Sequence, residues 1–150
     1  MPRWAAHLDL VMDPQPDGPQ SDSPSRLLVF RARHRIAGSD EFAAVFDAKV
    51  RKSRGVLTVF LMPTDNPEHR LGLSVGKRVG NAVVRGRFKR MMREAFRQQR
   101  SDLPVPSAGG AYDIVVTSRK HDVVSLGEYT RMLVEAVEAA HRTHEKRAGQ

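Results

Sequence analysis

The sequence lacks cysteine and contains no apolar run that approaches the roughly 20 residues of a membrane-spanning helix. The missing thiols exclude disulfide bonds and thiolate metal sites, and they are compatible with the reducing cytoplasm, where we expect this chain. The first residues show no basic segment followed by an apolar segment, so we expect no secretory signal. These absences argue against a secreted, membrane-bound or thiolate-metal protein.

A constellation suited to catalysis is also missing. A nuclease that acts alone needs metal-binding carboxylates or an acid–base pair in a cleft, whereas the acidic residues here are scattered. His141 and His144 are three positions apart near the end of a predicted helix, where solvent-facing side chains are favoured over a metal site. The other histidines are expected in loops, at strand ends or in the N-terminal extension, exposed or in contact with phosphate: His7, His34, His69 and His121. We predict no catalytic residue and no metal site.

What the sequence has in excess is positive charge, and the excess lies in one segment. The chain has 25 lysines and arginines against 17 aspartates and glutamates, a formal net charge of +8. Residues 77–100 contain nine basic residues and one acidic residue, Glu94, so they carry +8 alone. Without these ten, the other positions hold 16 charges of each sign. A charge excess confined to one short segment is typical of a surface that binds a polyanion.

The same segment has the periodicity of an amphipathic helix. At about 100° per residue one arc is apolar, with Val84, Phe88, Met91, Met92 and Ala95. The opposite arc is cationic, with Lys89, Arg90, Arg93 and Arg97, while Arg85 and Arg87 flank the boundary. An ordinary solvated helix face mixes both signs to gain ion pairs, whereas a row of cations repels itself unless phosphates neutralise it. The pattern therefore favours nucleic-acid binding over a solvated face without a function.

Periodicity and turn residues predict one α+β domain of order α-β-β-β-α-β-α. Helices are predicted over 40–48, 82–99 and 126–144, with Ser39, Asn81 and Ser125 as N-caps. Strands are predicted over 49–54, 55–62, 70–76 and 112–118, with a turn over 63–68. We expect a mixed sheet of about four strands, covered on one side by helices. Residues 1–25 are expected to be a disordered extension, 26–145 the folded domain and 146–150 a disordered tail.

Residues 70–97, RLGLSVGKRVGNAVVRGRFKRMMREAFR, closely resemble the signature of the bacterial ribonuclease P protein subunit. In that family a strand of R-x-G-L-S type leads through a G-N-A-V turn into a helix with R-N-R-x-K-R-x-x-R-E-x-F-R. Residues 33–46 and 112–120 resemble the family's first helix and one of its strands more weakly. The resemblance implies a single-domain αβββαβα sandwich of the ribosomal protein S5 domain 2-like kind. It also implies a left-handed crossover through strand 70–76, helix 82–98 and strand 112–118, against the usual rule.

The resemblance further implies an accessory subunit of the endoribonuclease ribonuclease P. Such a subunit binds the catalytic RNA and the 5′ leader of precursor tRNA, and it assists the Mg²⁺-dependent removal of the leader. The RNA would carry out the hydrolysis and hold most of the Mg²⁺, which agrees with the missing catalytic constellation in this chain. No membrane and no obligatory protein partner are expected.

The resemblance also assigns roles to residues. The positions that match contacts to the catalytic RNA are Lys77, Arg78, Arg85, Arg87, Lys89, Arg90, Arg93 and Arg97. Phe42 and Phe46 match aromatic residues of a cleft that holds the single-stranded leader against the sheet, and Phe60 is a looser match; burial beneath the first helix is the alternative for Phe42 and Phe46. Gly86 departs from the family pattern, because an asparagine that could bond RNA or a metal-bound water stands there in relatives.

Three other functions stay open from the residues alone. The main alternative is a ribosomal or other structural RNA-binding protein that uses the same basic helix, although the long match over 70–97 argues against it. A self-sufficient endonuclease would contradict the missing catalytic constellation. A DNA-binding protein could place the helix in a major groove, but no helix-turn-helix partner closely precedes it.

Overall fold

The computed structural model of the chain describes residues 30–149, so the predicted extension over 1–25 and the start of the predicted domain lie outside the described residues. The elements follow the predicted order. The helices are α1 (Ser39–Asp47), α2 (Ala82–Gln99) and α3 (Leu126–Ala148). The strands are β1 (Val50–Arg54), β2 (Leu57–Thr64), β3 (Arg70–Ser74) and β4 (Ala111–Ser118). Short 3₁₀ turns cover Ala32–His34, Lys77–Val79 and Arg100–Asp102.

The four strands form one mixed sheet in the order β1-β2-β4-β3. β2 pairs antiparallel with both β1 and β4, and β3 pairs parallel with β4. Because β3 and β4 are neighbours and α2 connects them, the predicted βαβ unit is present; the left-handed sense of its crossover stays a prediction. The mixed four-stranded sheet with three helices confirms the predicted α+β class.

The two faces of the sheet differ in what covers them. On one face, strand residues such as Leu61 and Ile114 pack with Phe88 and Met92 of α2 and with Leu133 of α3 in the main core. On the other face, which we call the open face, α1 contributes a smaller cluster around Val45 and Val115. The expectation that helices cover one side only was therefore wrong, because α1 crosses to the opposite side.

Two of the three predicted N-caps are confirmed. The Asn81 side chain accepts a hydrogen bond from the Val84 N–H at 2.9 Å, and the Ser125 hydroxyl accepts one from the Glu128 N–H at 3.1 Å. Ser39 is not the cap of α1. Gly38 occupies that position with φ of 84°, a left-handed conformation that glycine adopts without strain.

β2 continues through Pro63 and Thr64, where the sequence predicted a turn. The partner strand β1 ends its pairing at Leu61, so β2 has a free edge beyond that point. The Tyr112 N–H, opposite Pro63 in the register, bonds His69 rather than β2. Proline therefore extends the strand without breaking the ladder, since its missing donor faces the free edge.

α3 is longer than the sequence predicted. It continues to Ala148, through residues assigned to a disordered tail. Near its end an Arg147 guanidinium nitrogen donates to the Lys49 carbonyl oxygen at 3.0 Å, across 98 positions of sequence. This contact ties the last turn to the start of β1, which a polar composition alone does not reveal.

Candidate nucleic-acid interface

The N-terminal end of α2 presents cations to solvent. The 3₁₀ turn Lys77–Val79 buries Val79, which is 4% exposed, and leaves Lys77 and Arg78 exposed. Asn81 then caps the helix, and Arg87 is exposed on its second turn. Lys77 and Arg78 just before α2 and Arg87 on its second turn are therefore exposed near the capped helix start, which favours contact with a large polyanion.

The middle of α2 holds its cations closer to the protein. Arg85 is half-buried, and its Nε donates to the Gly80 carbonyl oxygen at 3.1 Å. Lys89 and Arg90 are also half-buried. Burial, followed by the charges of Arg93 and Arg85, lowers the pKa of Lys89. An added negative charge near Lys89 would relieve this repulsion.

The C-terminal end of α2 differs from the continuous cationic arc that the sequence predicted. Arg97 donates from Nε to Glu94 at 3.0 Å, and this hydrogen bond raises the pKa of Arg97 and lowers that of Glu94. Burial is the largest cause, ahead of the Arg35 charge, that lowers the pKa of Arg93 to about 10. The predicted cationic arc is therefore not uniformly exposed, because Arg93 is half-buried and Arg97 is paired with Glu94.

A cleft of about 210 Å³ lies between α1, β3 and α2. It brings the predicted leader-binding Phe42 together with two predicted RNA-binding cations, Lys89 and Arg93. The rest of its wall comes from the segment before α1 and from β3: Phe30, Arg35, Ile36, Ala37, Leu71, Gly72 and Leu73. An aromatic ring and positive charges thus share one concave space.

The other two predicted cleft aromatics lie beside this space rather than in its wall. The rings of Phe46 and Phe60 meet edge to face, with centroids 4.7 Å apart and an interplanar angle of 84°. The guanidinium carbon of Arg51 lies 5.5 Å from the Phe60 ring centroid. Phe42, Phe46 and Phe60 are all half-buried and pack around the α1 cluster, so each combines a packing role with an accessible edge.

Arg35 also lines the cleft, although it was not predicted as a site residue. Its guanidinium carbon lies 5.2 Å from the Phe30 ring centroid, and both residues line the cleft. The alternation of arginines in RARHR, over 31–35, was the available signal. Arg35 is thus a third cation in the cleft wall, on the segment before α1.

A second group missed by the sequence gathers around Glu68. The Glu68 carboxylate receives Arg33 Nε at 2.7 Å, His34 Nε2 at 3.1 Å and Arg100 Nη1 at 3.1 Å. His34 accepts the Arg31 N–H on Nδ1, so its proton sits on Nε2 and is donated to Glu68. Burial, and next the Arg100 charge, lowers the pKa of His34 to about 4.

The expected exposure of the histidines was wrong for His34 and His69, which are 0% and 4% exposed. His69 accepts the Tyr112 N–H at 3.0 Å, and burial lowers its pKa. His141 bonds the Tyr112 hydroxyl at 2.7 Å, and His7 lies outside the described residues. His34, His69 and His141 therefore serve packing and hydrogen bonding in the fold.

Within residues 30–149, no group of three or more histidine, aspartate or glutamate side chains could hold a metal ion. In the same span no helix combines the length and apolar character needed to cross a bilayer.

Comparison with known proteins gives a consistent result. The Ribonuclease P family model matches residues 30–141. The ribonuclease P protein component of Bacillus cereus strain B4264 is 41% identical over 91 residues, which cover 60% of this chain and 75% of that protein. A second B. cereus ribonuclease P protein component, from strain G9842, is 38% identical over the same length.

Solved structures show the same likeness in three dimensions. A Staphylococcus aureus RNase P protein mutant with defective mRNA degradation activity gives a TM-score of 0.62 at 25% identity, covering 72% of this chain and 88% of that one. The RNase P protein from Thermotoga maritima gives 0.56 at 25% identity, covering 72% and 96%. With the family model spanning most of the chain and the fold agreeing, the chain belongs to the bacterial ribonuclease P protein family.

Proposed function

We propose that this chain, as the protein component of ribonuclease P, binds the catalytic RNA and the 5′ leader of precursor tRNA and assists the endonucleolytic removal of that leader. The observation that carries the proposal is the cleft, which brings Phe42 together with Lys89 and Arg93, while further cations are exposed before and within the first turns of α2. A polyanion with unpaired bases is the ligand that uses both features at once. The proposed substrate places the chain in the cytoplasm.

The exposed cations Lys77, Arg78 and Arg87 are suited to a folded RNA. Guanidinium groups match phosphate oxygens with paired hydrogen bonds, and they position a protein on RNA without reading bases. Arg87 stands on the capped helix, and Lys77 and Arg78 stand on the 3₁₀ turn that leads into it, so their backbone is ordered before binding. We propose this surface as the main contact to the catalytic RNA, with Arg85 and Arg90 contributing from the half-buried middle of α2.

The cleft is suited to a single strand. A base that stacks on an aromatic side chain gains roughly 1–3 kcal/mol, whatever its identity. Phosphates of the same strand would meet Lys89, Arg93 and Arg35, whose mutual repulsion they relieve. Binding that tolerates sequence fits a subunit that handles many different leaders. Phe46 and Phe60 extend the aromatic surface along the open face.

Mg²⁺ belongs to the RNA in this proposal. The residues described here offer no cluster that fits the ion, and Gly86 lacks the side chain that could hold a metal-bound water, so no step is assigned to a metal on the protein. The contribution of the chain is to neutralise phosphates that otherwise repel one another, which lowers the Mg²⁺ concentration that the folded RNA needs.

Reconstitution tests the proposal. The full chain is combined with a bacterial ribonuclease P RNA, and cleavage of precursor tRNA is followed at low and high Mg²⁺. We expect the protein to restore leader removal at low Mg²⁺ and to cleave nothing without the RNA. Failure to restore activity, with tight binding to another cellular RNA, would favour a structural RNA-binding protein. Cleavage by the protein alone would refute an accessory role.

Leader length separates binding in the cleft from a defect in packing. Phe42→Ala should weaken holoenzyme binding to a precursor with a long leader and leave a one-nucleotide leader nearly unaffected. Loss of equal size with both substrates would mean that the variant damages the fold instead.

A further inference from the structure

An ion-pair network lies on the open face of the sheet beneath the N-terminal end of α1. Arg70 of β3 and Asp113 of β4 are direct partners in the parallel register. Arg70 Nε donates to Asp113 Oδ1 at 2.9 Å and Nη2 donates to Oδ2 at 2.7 Å, and Asp113 is 1% exposed. The Arg70 guanidinium thus binds both oxygens of the buried Asp113 carboxylate. This bidentate geometry fixes the relative orientation of the two groups.

The third arm of this network reaches α1. Arg70 Nη1 lies 3.4 Å from Glu41 Oε2, while Glu41 Oε1 accepts the Ala37 N–H at 2.9 Å. The hydrogen bond from Ala37, ahead of the Arg70 charge, holds the pKa of Glu41 below its ordinary value. One carboxylate therefore joins the segment before α1 to a guanidinium that is itself fixed on the sheet.

Phe42 follows Glu41 in the chain and is held from below. Gly72 lies two positions after Arg70, on the same face of β3. A Cβ added at Gly72 would stand 2.9 Å from the Phe42 ring, so the ring rests directly on bare backbone. Two features therefore position the Phe42 side chain. The ion-pair network holds the preceding residue, Glu41, and the ring packs against the Gly72 backbone.

α1 needs such anchoring because its own stability is small. It spans nine residues, and Val45 is its buried residue. A helix of this length is marginal in water and takes its position from tertiary contacts. Since the Glu41 side chain is 44% exposed, its ion pair adds little to global stability. Its main effect is on where the helix start lies.

We propose that Glu41, held by the Arg70–Asp113 pair, is a positioning residue that fixes the start of α1 over the sheet and thereby places Phe42 in the leader cleft. The proposal rests on the proposed function of that cleft. It names a determinant of leader affinity that touches no RNA itself and acts through the orientation of Phe42.

The chain offers a closely matched control. Asp40 is the neighbour of Glu41 in the first turn of α1, and it is exposed. Asp40→Asn and Glu41→Gln change the net charge and the helix dipole interaction in the same way. Only Glu41→Gln removes the charge that faces Arg70. A difference between the two variants therefore reports the network and not the electrostatic attraction of RNA.

The test measures holoenzyme affinity for precursors with a long and a one-nucleotide leader. For Glu41→Gln we expect affinity for the long leader to fall about three- to ten-fold, a typical size for coupling between neighbouring groups, and affinity for the short leader to change by less than about two-fold. Asp40→Asn should leave the ratio of the two affinities unchanged. Equal ratios for both variants would overturn the proposal.

Combining Glu41→Gln with Phe42→Ala shows whether the effect passes through Phe42. The double variant should discriminate between the leaders no worse than Phe42→Ala alone. If Glu41→Gln has its full effect without the Phe42 ring, the positioning role is refuted. If Phe42→Ala itself leaves leader discrimination intact, the proposed leader cleft fails instead, so the two failures are distinguishable.

Amide hydrogen exchange provides a readout without RNA. In Glu41→Gln, the amides of residues 43–47 should exchange faster while those of β4 keep their protection, because the start of α1 is released locally. Unchanged exchange in α1 would overturn the proposal. Loss of protection throughout the sheet would also overturn it, since Glu41 would then support the whole fold.

Discussion

The two ends of α2 carry the same type of residue and use it differently. At the N-terminal end, Lys77, Arg78 and Arg87 are exposed. At the C-terminal end, Arg97 is paired with Glu94, and Arg100 is 8% exposed and paired with Glu68. The difference is the presence of carboxylates within reach. A count of basic residues therefore overstates the surface that is available to RNA, and burial and pairing decide which cations belong to it.

Helix electrostatics reinforces the contrast. Cations near a helix C-terminus interact favourably with the helix dipole, whereas cations near an N-terminus are unfavourable. Lys77 and Arg78 immediately precede α2, so their position is not explained by stability. Phosphates would relieve that unfavourable interaction. The N-terminal end is therefore where we expect binding, and the C-terminal end is where the same charges support the fold.

One of the two largest expected effects comes from removing a paired cation. Arg100→Ala would leave Glu68 with one fewer partner and open a gap in a nearly buried position, so the free energy of unfolding should fall by about 2 to 3 kcal/mol. Arg87→Ala, at the other end, should stay within about 0.5 kcal/mol of the unchanged protein. Urea denaturation of both variants measures this. Equal unfolding free energies for the two variants would contradict the structural role assigned to Arg100.

A similar effect is expected from pH, through His34 of the Glu68 cluster. The pKa of His34 is about 4 in the folded chain against 6.5 for an ordinary histidine. The unfolded chain therefore takes up a proton first as the pH falls, and the stabilisation that is complete above pH 6.5 is lost toward pH 4. The loss amounts to roughly 3 kcal/mol.

His34→Gln isolates this contribution, because glutamine does not titrate. The difference in unfolding free energy between the unchanged protein and the variant should shrink as the pH is lowered from 7 to 4. A difference that stays constant over this range would show that His34 is protonated normally in the folded protein.

A smaller effect is expected between the two ends of the helix. Gly86 is in the middle of the first half of α2, and a Cβ added there would meet nothing within 4 Å. Gly86→Ala should therefore raise the unfolding free energy by about 1 kcal/mol, through helix propensity alone. Thermal unfolding checks this, and a lack of stabilisation would mean that the helix is strained at this point.

The smallest effect is expected at Arg97. Its ion pair with Glu94 spans one turn, and both side chains are 32% exposed. Arg97→Gln should lower stability by about 0.5 kcal/mol. It should also leave the salt dependence of RNA binding almost unchanged, since this guanidinium is already neutralised. If the slope of log affinity against log salt concentration falls by about one unit, Arg97 contacts RNA after all.

Much of the fold could be predicted because its signals are local. The caps at Asn81 and Ser125 and the apolar positions Phe88 and Met92 lie within the elements that they define. Other features depend on distant residues. Periodicity cannot tell on which face of a sheet a short helix packs, so α1 was assigned to the wrong side. Pro63 was predicted in a turn because the residues around it do not show that β1 starts at Val50, which leaves that edge of β2 unpaired beyond Leu61.

The site was predictable to a similar degree. Phe42, Lys89 and Arg93 were named from sequence and do share a cleft. Their burial was not predictable, because it depends on how α1, β3, α2 and the segment with Arg35 pack around the cleft. The pairing of Arg100 requires Glu68, which lies 32 positions earlier, and the network at Glu41 joins three separate elements. Contacts of this kind need the tertiary structure.

The salt dependence of binding to the catalytic RNA tests the central claim most directly. A variant with alanine at Lys77, Arg78 and Arg87 is compared with the unchanged protein, and the logarithm of affinity is plotted against the logarithm of salt concentration. If these cations contact phosphates, the slope should flatten by about two to three units, close to one for each lost contact. An unchanged slope in a folded variant would contradict the account.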